Sequence, residues 1–265
     1  MPGGAPAAGA PAASAASGRI RSPFQDHLEA LHARFRSLDS GEVARYIPEL
    51  AKADPEAFGV AVATVDGHVY EVGDSRQPFT IQSISKPLTY GLALEDCGVE
   101  RVRAKIGVEP TGDAFNAISL AAPSGCPLNP MINAGAIAAA SLVAGRSEAD
   151  RLARLLAVYS TYAGRALSLD AAVFESERAT GHRKRAIVHM LRNFKIVGGD
   201  PEPALTLYFQ QCSVAVDCRD LALMAGTLAN GGANPVTGER ALRGDLVESV
   251  LSVMTTCGMY DSSGE

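Results

Sequence analysis

The sequence is sparing in the features that signal metal, membrane or nucleic-acid chemistry. Its five cysteines (Cys97, Cys126, Cys212, Cys218 and Cys257) are odd in number and contain no C-x-x-C pair. That argues against a disulfide framework and a cysteine zinc site, and predicts reduced, mostly buried thiols. His27, His32, His68, His182 and His189 form no H-E-x-x-H or comparable ligand cluster, so each reads as a surface or core histidine. No metal and no cofactor is expected. Basic residues are outnumbered, 24 to 29, for a net charge of -5. The chain therefore offers no basic surface for nucleic acid or anionic lipid. The longest low-polarity run, INAGAIAAASLVAG, is too short to span a bilayer. Residues 1–18 have neither the basic start nor the apolar core of a secretory signal, and their Ala, Gly, Pro and Ser predict a disordered tail. A cytoplasmic protein is expected.

What remains is a chain of 265 residues, 47% apolar and 20% charged, long enough to bury a sizeable core. Ser22 and Gln25 suggest a capping box, Pro23 suits the first helical position, and Phe24, Leu28, Leu31 and Phe35 make an apolar stripe. FGVAVATV and HVYEV flank Asp66 and Gly67 and predict an antiparallel hairpin. A helix is expected to open at Ser83 and end near Gly98, and residues 133–144 suit a tightly packed buried helix. RLARLLAVY, HRKRAIVHMLRNF, PALTLYFQQC and DLALMAGTLAN carry helical periodicity. Strands followed by a helical block imply an α/β layer carrying an all-helical subdomain, roughly residues 95–245, within an ordered region of 19–265.

Chemistry concentrates in FTIQSISKPLTYGLALED. Lysine is scarce, and of Lys52, Lys86, Lys105, Lys184 and Lys195 only Lys86 has a serine, Ser83, three positions earlier. Residues so spaced share one helix face, so the amine can reach the hydroxyl. A helix N-terminus and partial burial both disfavour an ammonium, which leaves a neutral amine able to accept the serine proton. The arrangement reads as acyl transfer. A penicillin-directed enzyme would also need an S-x-N or Y-x-N element and a later lysine-bearing strand. None of the six asparagines follows Ser or Tyr by two positions, and no lysine follows Lys195.

Other motifs lead elsewhere. YIPELA, QSISKPL, GVEPTG, NPMINAGAI, FESERATGHR, YFQQCS, TLANGG, NPVTGE and CGMYD occur in order from Tyr46 onward. In these the sequence resembles the serine-dependent glutaminases, which hydrolyse L-glutamine to L-glutamate and ammonia. The resemblance implies a β-lactamase-like fold, an antiparallel sheet flanked by helices plus an all-helical domain, and a homodimer or homotetramer. It implies that Ser83 is the nucleophile and lends its backbone N–H to an oxyanion hole, that Lys86 assists proton transfer, and that Tyr260 and Tyr46 are active-site tyrosines. Ser83, Asn133, Glu177, Tyr208 and Tyr260 would bind substrate, Glu177 through the α-ammonium. On residue type alone Asn133 would be a helix N-cap and Glu177 a solvated charge.

Two departures from the family pattern are visible. Lys184 in GHRKRA stands where the resemblance predicts a substrate-binding asparagine; it would either pair with the substrate carboxylate or obstruct the pocket. The sequence also ends shortly after CGMYD, where the family continues through a Lys-Ser-Gly-like strand, closing strands and a final helix. The expectation is a piece of a longer product or a protein inactivated by truncation, and a catalytically impaired fragment or a glutamine- or glutamate-binding protein of the same fold is the alternative to an active enzyme.

Overall fold

In the computed structural model of the protein, which describes residues 22–112, 114 and 118–263, a small pleated element aims the central helix. The expected tail, 1–18, lies outside the described residues. Helix α1 (Pro23–Phe35) packs on a hairpin of strands β1 (Gly59–Ala63) and β2 (Val69–Gly73), paired antiparallel with Val60 opposite Val72. Gly67 closes the turn with φ +88°, a conformation that suits glycine, as the Asp66-Gly67 pair predicts. Strand β3 (Phe79–Thr80) then leads through a 3-10 turn, Gln82–Ile84, into α2 (Ser85–Cys97). Pro87 is tolerated in the first turn of α2, and every residue from Ser85 to Leu94 is buried.

Helices α3 (Val99–Arg103), α4 (Asn133–Ser141), α5 (Glu148–Ala163), α6 (Ala171–Thr180), α7 (His182–Asn193) and α8 (Glu202–Cys212) follow. Strand β4 (Ala215–Val216), α9 (Cys218–Ala229) and α10 (Gly244–Cys257) complete the described elements. Helix α9 covers the face of β1, while α4 packs against α2, α7 and α8, and α10 against α2. The core is continuous across these helices. Their starts follow familiar chemistry: Ser147 caps α5 by accepting from the Asp150 N–H at 3.1 Å, Asp170 caps α6, and Asp217 with Asp220 forms a reciprocal capping box on α9. Arg165 ties the end of α5 to that box through an ion pair with Asp220.

The periodic helices of the sequence all form. The helix expected to open at Ser83 opens at Ser85 instead, Ser83 lying in the preceding 3-10 turn. Three further local expectations are corrected. Ser22 precedes α1 but makes no side-chain cap bond; Gln25 instead donates to the Glu71 carbonyl of β2 at 3.0 Å, a docking contact that outcompetes the local box. Of the expected stripe, Leu28 is buried, whereas Phe24 and Phe35 remain largely exposed, Phe24 meeting Tyr70 edge-on at 4.8 Å. Helix α1 lies on a narrow hairpin, too small a surface to cover its whole apolar face. Asn133 is not an N-cap: Ile132 takes that place, and Asn129 receives the Met131 and Ile132 N–H groups at 3.0 and 3.2 Å.

The small side chains of α4 let it approach the loop before it. At Gly135 a methyl group would overlap the Asn129 carbonyl oxygen, a backbone atom that cannot swing aside. Gly135→Ala is therefore expected to lower unfolding free energy by about 1–3 kcal/mol despite alanine's better helix propensity, measured by denaturant titration. A stabilised variant would show that the loop yields freely.

Candidate active site

Ser83 occupies the middle of the 3-10 turn between β3 and α2. Its position is set from both sides. Strand β3 pairs with β4, and the Ile81 N–H donates to the Val214 carbonyl at 2.9 Å, so the chain enters the turn in a fixed direction. Gln82 then adopts φ +49°, a left-handed conformation unfavourable for a side-chain-bearing residue, of the kind held in place only by its surroundings. Those surroundings are a buried polar network. Ser85 Oγ donates to the Gln82 carbonyl at 2.6 Å and accepts from Gln211 Nε2 at 3.2 Å. Thr89 Oγ1 donates to Gln211 Oε1 at 2.8 Å, and Tyr159 donates to the Ser85 carbonyl at 2.9 Å.

Lys86 follows, one turn onward and wholly buried. Burial is the dominant cause that lowers its pKa from 10.5 to about 7, aided by the nearby Lys184 charge and opposed by Glu177. Its amine lies 3.4 Å from the Tyr260 hydroxyl and 5.1 Å from the centre of that ring. Tyr260 is hydrogen-bonded in turn to the Ser83 side chain; burial raises its pKa, and this bond holds it down. The three groups form one chain of exchangeable protons. Tyr260 itself has φ +54°, a second left-handed residue at the same site, and reaches it from the end of α10.

The same small sheet delivers the other wall. Segment 168–170 pairs with the second edge of the strip at β4, through Ala215 N–H to the Ser168 carbonyl at 2.9 Å and Asp170 N–H to the Ser213 carbonyl at 2.8 Å. Helix α6 starts there and carries Glu177 inward. Ser176 on α6 accepts from the Glu49 N–H at 3.2 Å, which holds the segment bearing Tyr46 and Ile47 beside it. A cavity of about 210 Å³ results, lined by Tyr46, Ser83, Asn133, Glu177, Lys184 and Tyr208 among others. It is smaller than the cavities that hold drug-sized ligands, and suits a small metabolite.

Within it, Tyr208 donates to Asn133 Oδ1 at 3.1 Å, linking α8 to α4. Glu177 is 1% exposed rather than a solvated charge; burial raises its pKa and the Lys184 charge opposes the rise. Lys184, from α7, forms a short ion pair with Glu177 Oε1. Tyr46 stands at the rim, 58% exposed, its hydroxyl 3.4 Å from Gln82 Oε1. All of the residues singled out from the sequence thus converge on one place. Sequence reasoning missed Gln82, Cys212 and the network of Ser85, Thr89, Tyr159 and Gln211. Cys212 also lines the cavity, but burial pushes its thiol up to about 12, which makes it a poor nucleophile. The network residues lie on three helices distant in sequence, and no spacing rule joins them.

Residues 41–265 match the family model described as Glutaminase. A glutaminase from Nostoc sp. is 54% identical over 244 residues, covering 92% of this chain and 73% of the relative. Glutaminase 2 of Bradyrhizobium diazoefficiens is 51% identical over 92% of this chain, which spans 39% of that longer protein. Among solved structures, Mglu in its glutamate form superposes with a TM-score of 0.88 at 44% identity, over 92% of this chain and 56% of that one.

The buried lysine makes a prediction that needs no substrate. With a folded-state pKa near 7 and an unfolded value near 10.5, the unfolded chain binds one more proton between these limits, so the contribution of Lys86 to stability rises with pH across that window and is worst below about pH 7. Lys86→Met is therefore expected to be more stable than the parent, by more at pH 6 than at pH 9, in denaturant titrations. An equal gap at both pH values would mean that the amine is not desolvated.

Proposed function

The chain belongs to the glutaminase family, and on that premise we propose that its cavity hydrolyses L-glutamine to L-glutamate and ammonia through an acyl-enzyme on Ser83. The architecture is the β-lactamase-like α/β fold of the matching structures. The observation that carries the reading is the chain from Ser83 through Tyr260 to a lysine amine with a pKa near 7, opening on a pocket with a buried carboxylate.

In this mechanism Ser83 Oγ attacks the carboxamide carbon of glutamine while its proton passes to the neutral Lys86 amine, with Tyr260 as relay. The carbonyl oxygen becomes an oxyanion that the Ser83 backbone N–H helps to stabilise. Collapse of the tetrahedral intermediate breaks the C–N bond, and the proton returns from Lys86 to the departing nitrogen, which leaves as ammonia. A water then gives a proton to the same amine, attacks the γ-glutamyl ester, and releases glutamate and the serine hydroxyl. Glu177 would hold the α-ammonium, and Asn133 and Tyr208 the polar flank of the substrate. Five cysteines without disulfides, among the described residues, accord with a cytoplasmic setting, and a homo-oligomer is the assembly we favour.

Ser83→Ala is expected to abolish ammonia release while leaving glutamate binding intact, and a brief quench with glutamine should leave the parent carrying a γ-glutamyl mass on the peptide that holds Ser83. Undiminished turnover by the variant would sink the mechanism. The acid limb of kcat/KM should have its midpoint near pH 7, because protonation of Lys86 removes the base. A flat profile from pH 6 to 9 would exclude Lys86 from that role.

A further inference from the structure

Beneath the nucleophile lie Ser85, Thr89, Tyr159 and Gln211, all fully buried, all polar and none of them part of the cavity lining. Polar groups this deep are costly unless each is hydrogen-bonded, and here the bonds have a direction. Gln211 Nε2 donates to Ser85 Oγ at 3.2 Å, which leaves the single Ser85 proton for the Gln82 carbonyl at 2.6 Å. A reversed amide would set one acceptor against another at Ser85, while the amide as it stands takes the Thr89 proton on Oε1 at 2.8 Å. The bonds end on the residue that needs them. Gln82 holds φ +49°, and a non-glycine residue persists there only where its surroundings over-determine it. Its carbonyl and the Ser83 N–H belong to one planar peptide unit and point in opposite directions, so a hold on the carbonyl also sets the N–H.

We propose that Gln211 is a positioning residue for the nucleophile: through Ser85 it clamps the Gln82–Ser83 peptide, which aims the Ser83 N–H at the oxyanion and the Ser83 hydroxyl at Tyr260. The proposal rests on the glutaminase reading, since it needs an oxyanion to form at that N–H. Helix α8 then serves two sides. Tyr208 and Cys212 line the cavity, while Gln211 on the same helix reaches across 126 positions of sequence to Ser85. From α5, Tyr159 donates to the Ser85 carbonyl at 2.9 Å and steadies the first residue of α2 from another direction. Strain at Gln82 gives the clamp its purpose. A glycine at that position would take the left-handed conformation unaided and make the clamp dispensable. The contrary role, a network that only stabilises the core, would cost stability when Gln211 is lost and leave the reactivity of each folded molecule unchanged.

The test places Gln211→Met in three backgrounds, the parent chain, Gln82→Gly and Gln82→Ala, with thermal melts to confirm folding and calorimetry with L-glutamate to confirm an intact pocket. Two rates are read: kcat for ammonia release from glutamine, and the rate at which a small fluorophosphonate labels Ser83, followed by intact mass. In the parent background Gln211→Met should lower both rates about 10- to 100-fold and leave KM and L-glutamate affinity within about twofold, because misplacement slows reaction and spares binding. The loss should shrink to about twofold beside Gln82→Gly and keep its full size beside Gln82→Ala. Unchanged labelling of folded Gln211→Met, or an equal loss in the glycine and alanine backgrounds, overturns the positioning role. If Gln211→Met does not fold, Ser85→Ala takes its place in the same comparison with the same expectations. A parent that is labelled at Ser83, and labelled more slowly with Gln211→Met, yet releases no ammonia from glutamine overturns the glutaminase reading and not the clamp. A folded parent that is never labelled at Ser83 overturns both.

Discussion

Desolvation of one amine governs this site. An ammonium at the position of Lys86 is unfavourable because water is excluded from it, and that penalty is what brings its pKa down from 10.5 to about 7. The wall that excludes water is helix α2 itself, buried from Ser85 to Leu94, together with α4, α8 and α10 packed around it. Any substitution that opens this wall restores the ammonium and removes the base. The helices surrounding α2 are therefore part of the chemistry, and α4, α8 and the end of α10 also carry groups to the site.

A second constraint is directional. An activated serine is useful only if its hydroxyl faces the cavity, and a regular helix would not turn it there. The chain solves this with a left-handed Gln82, held by the bond its carbonyl accepts from Ser85, the bond its side-chain amide donates to Thr80 Oγ1, and the pairing of β3 with β4. The strip that fixes the serine on one edge launches α6 and Glu177 from the other. Nucleophile and carboxylate thus share a support only a few residues wide, which is why they can sit across one small cavity despite the long stretch of sequence between them.

Much of this was legible beforehand. The hairpin at Asp66-Gly67 and the periodic helices follow from local rules, since a helix face or a two-residue turn is decided by neighbours a few positions away, whereas Ser83 lies in the 3-10 turn before α2 and not on its face, and the Lys86 amine meets Tyr260. Other features depended on competition between distant groups. Gln25 left its local capping role for the Glu71 carbonyl. Asn133 yielded the helix cap to its surroundings and paired with Tyr208 instead. Helices α6 and α10 were not singled out by pattern, because α6 is a short, mixed segment whose start is set by Asp170 and by pairing with the strip at β4.

The sequence by itself determined which residues could react, because Lys86 alone among the five lysines has a serine three positions before it, at the start of an apolar helix, and it determined the family through the ordered motifs from Tyr46 to Asp261. Only the tertiary structure decided the charge states and the pairings. The sequence pointed to a neutral Lys86, but burial is a property of the packed whole, so no local pattern could tell how far its pKa falls or that Glu177 is dry. Nor could it tell that Lys184, seven positions after Glu177 and on another helix, would meet that carboxylate: the break between α6 and α7 at Gly181 turns the chain so that the two charges face one another across the cavity wall.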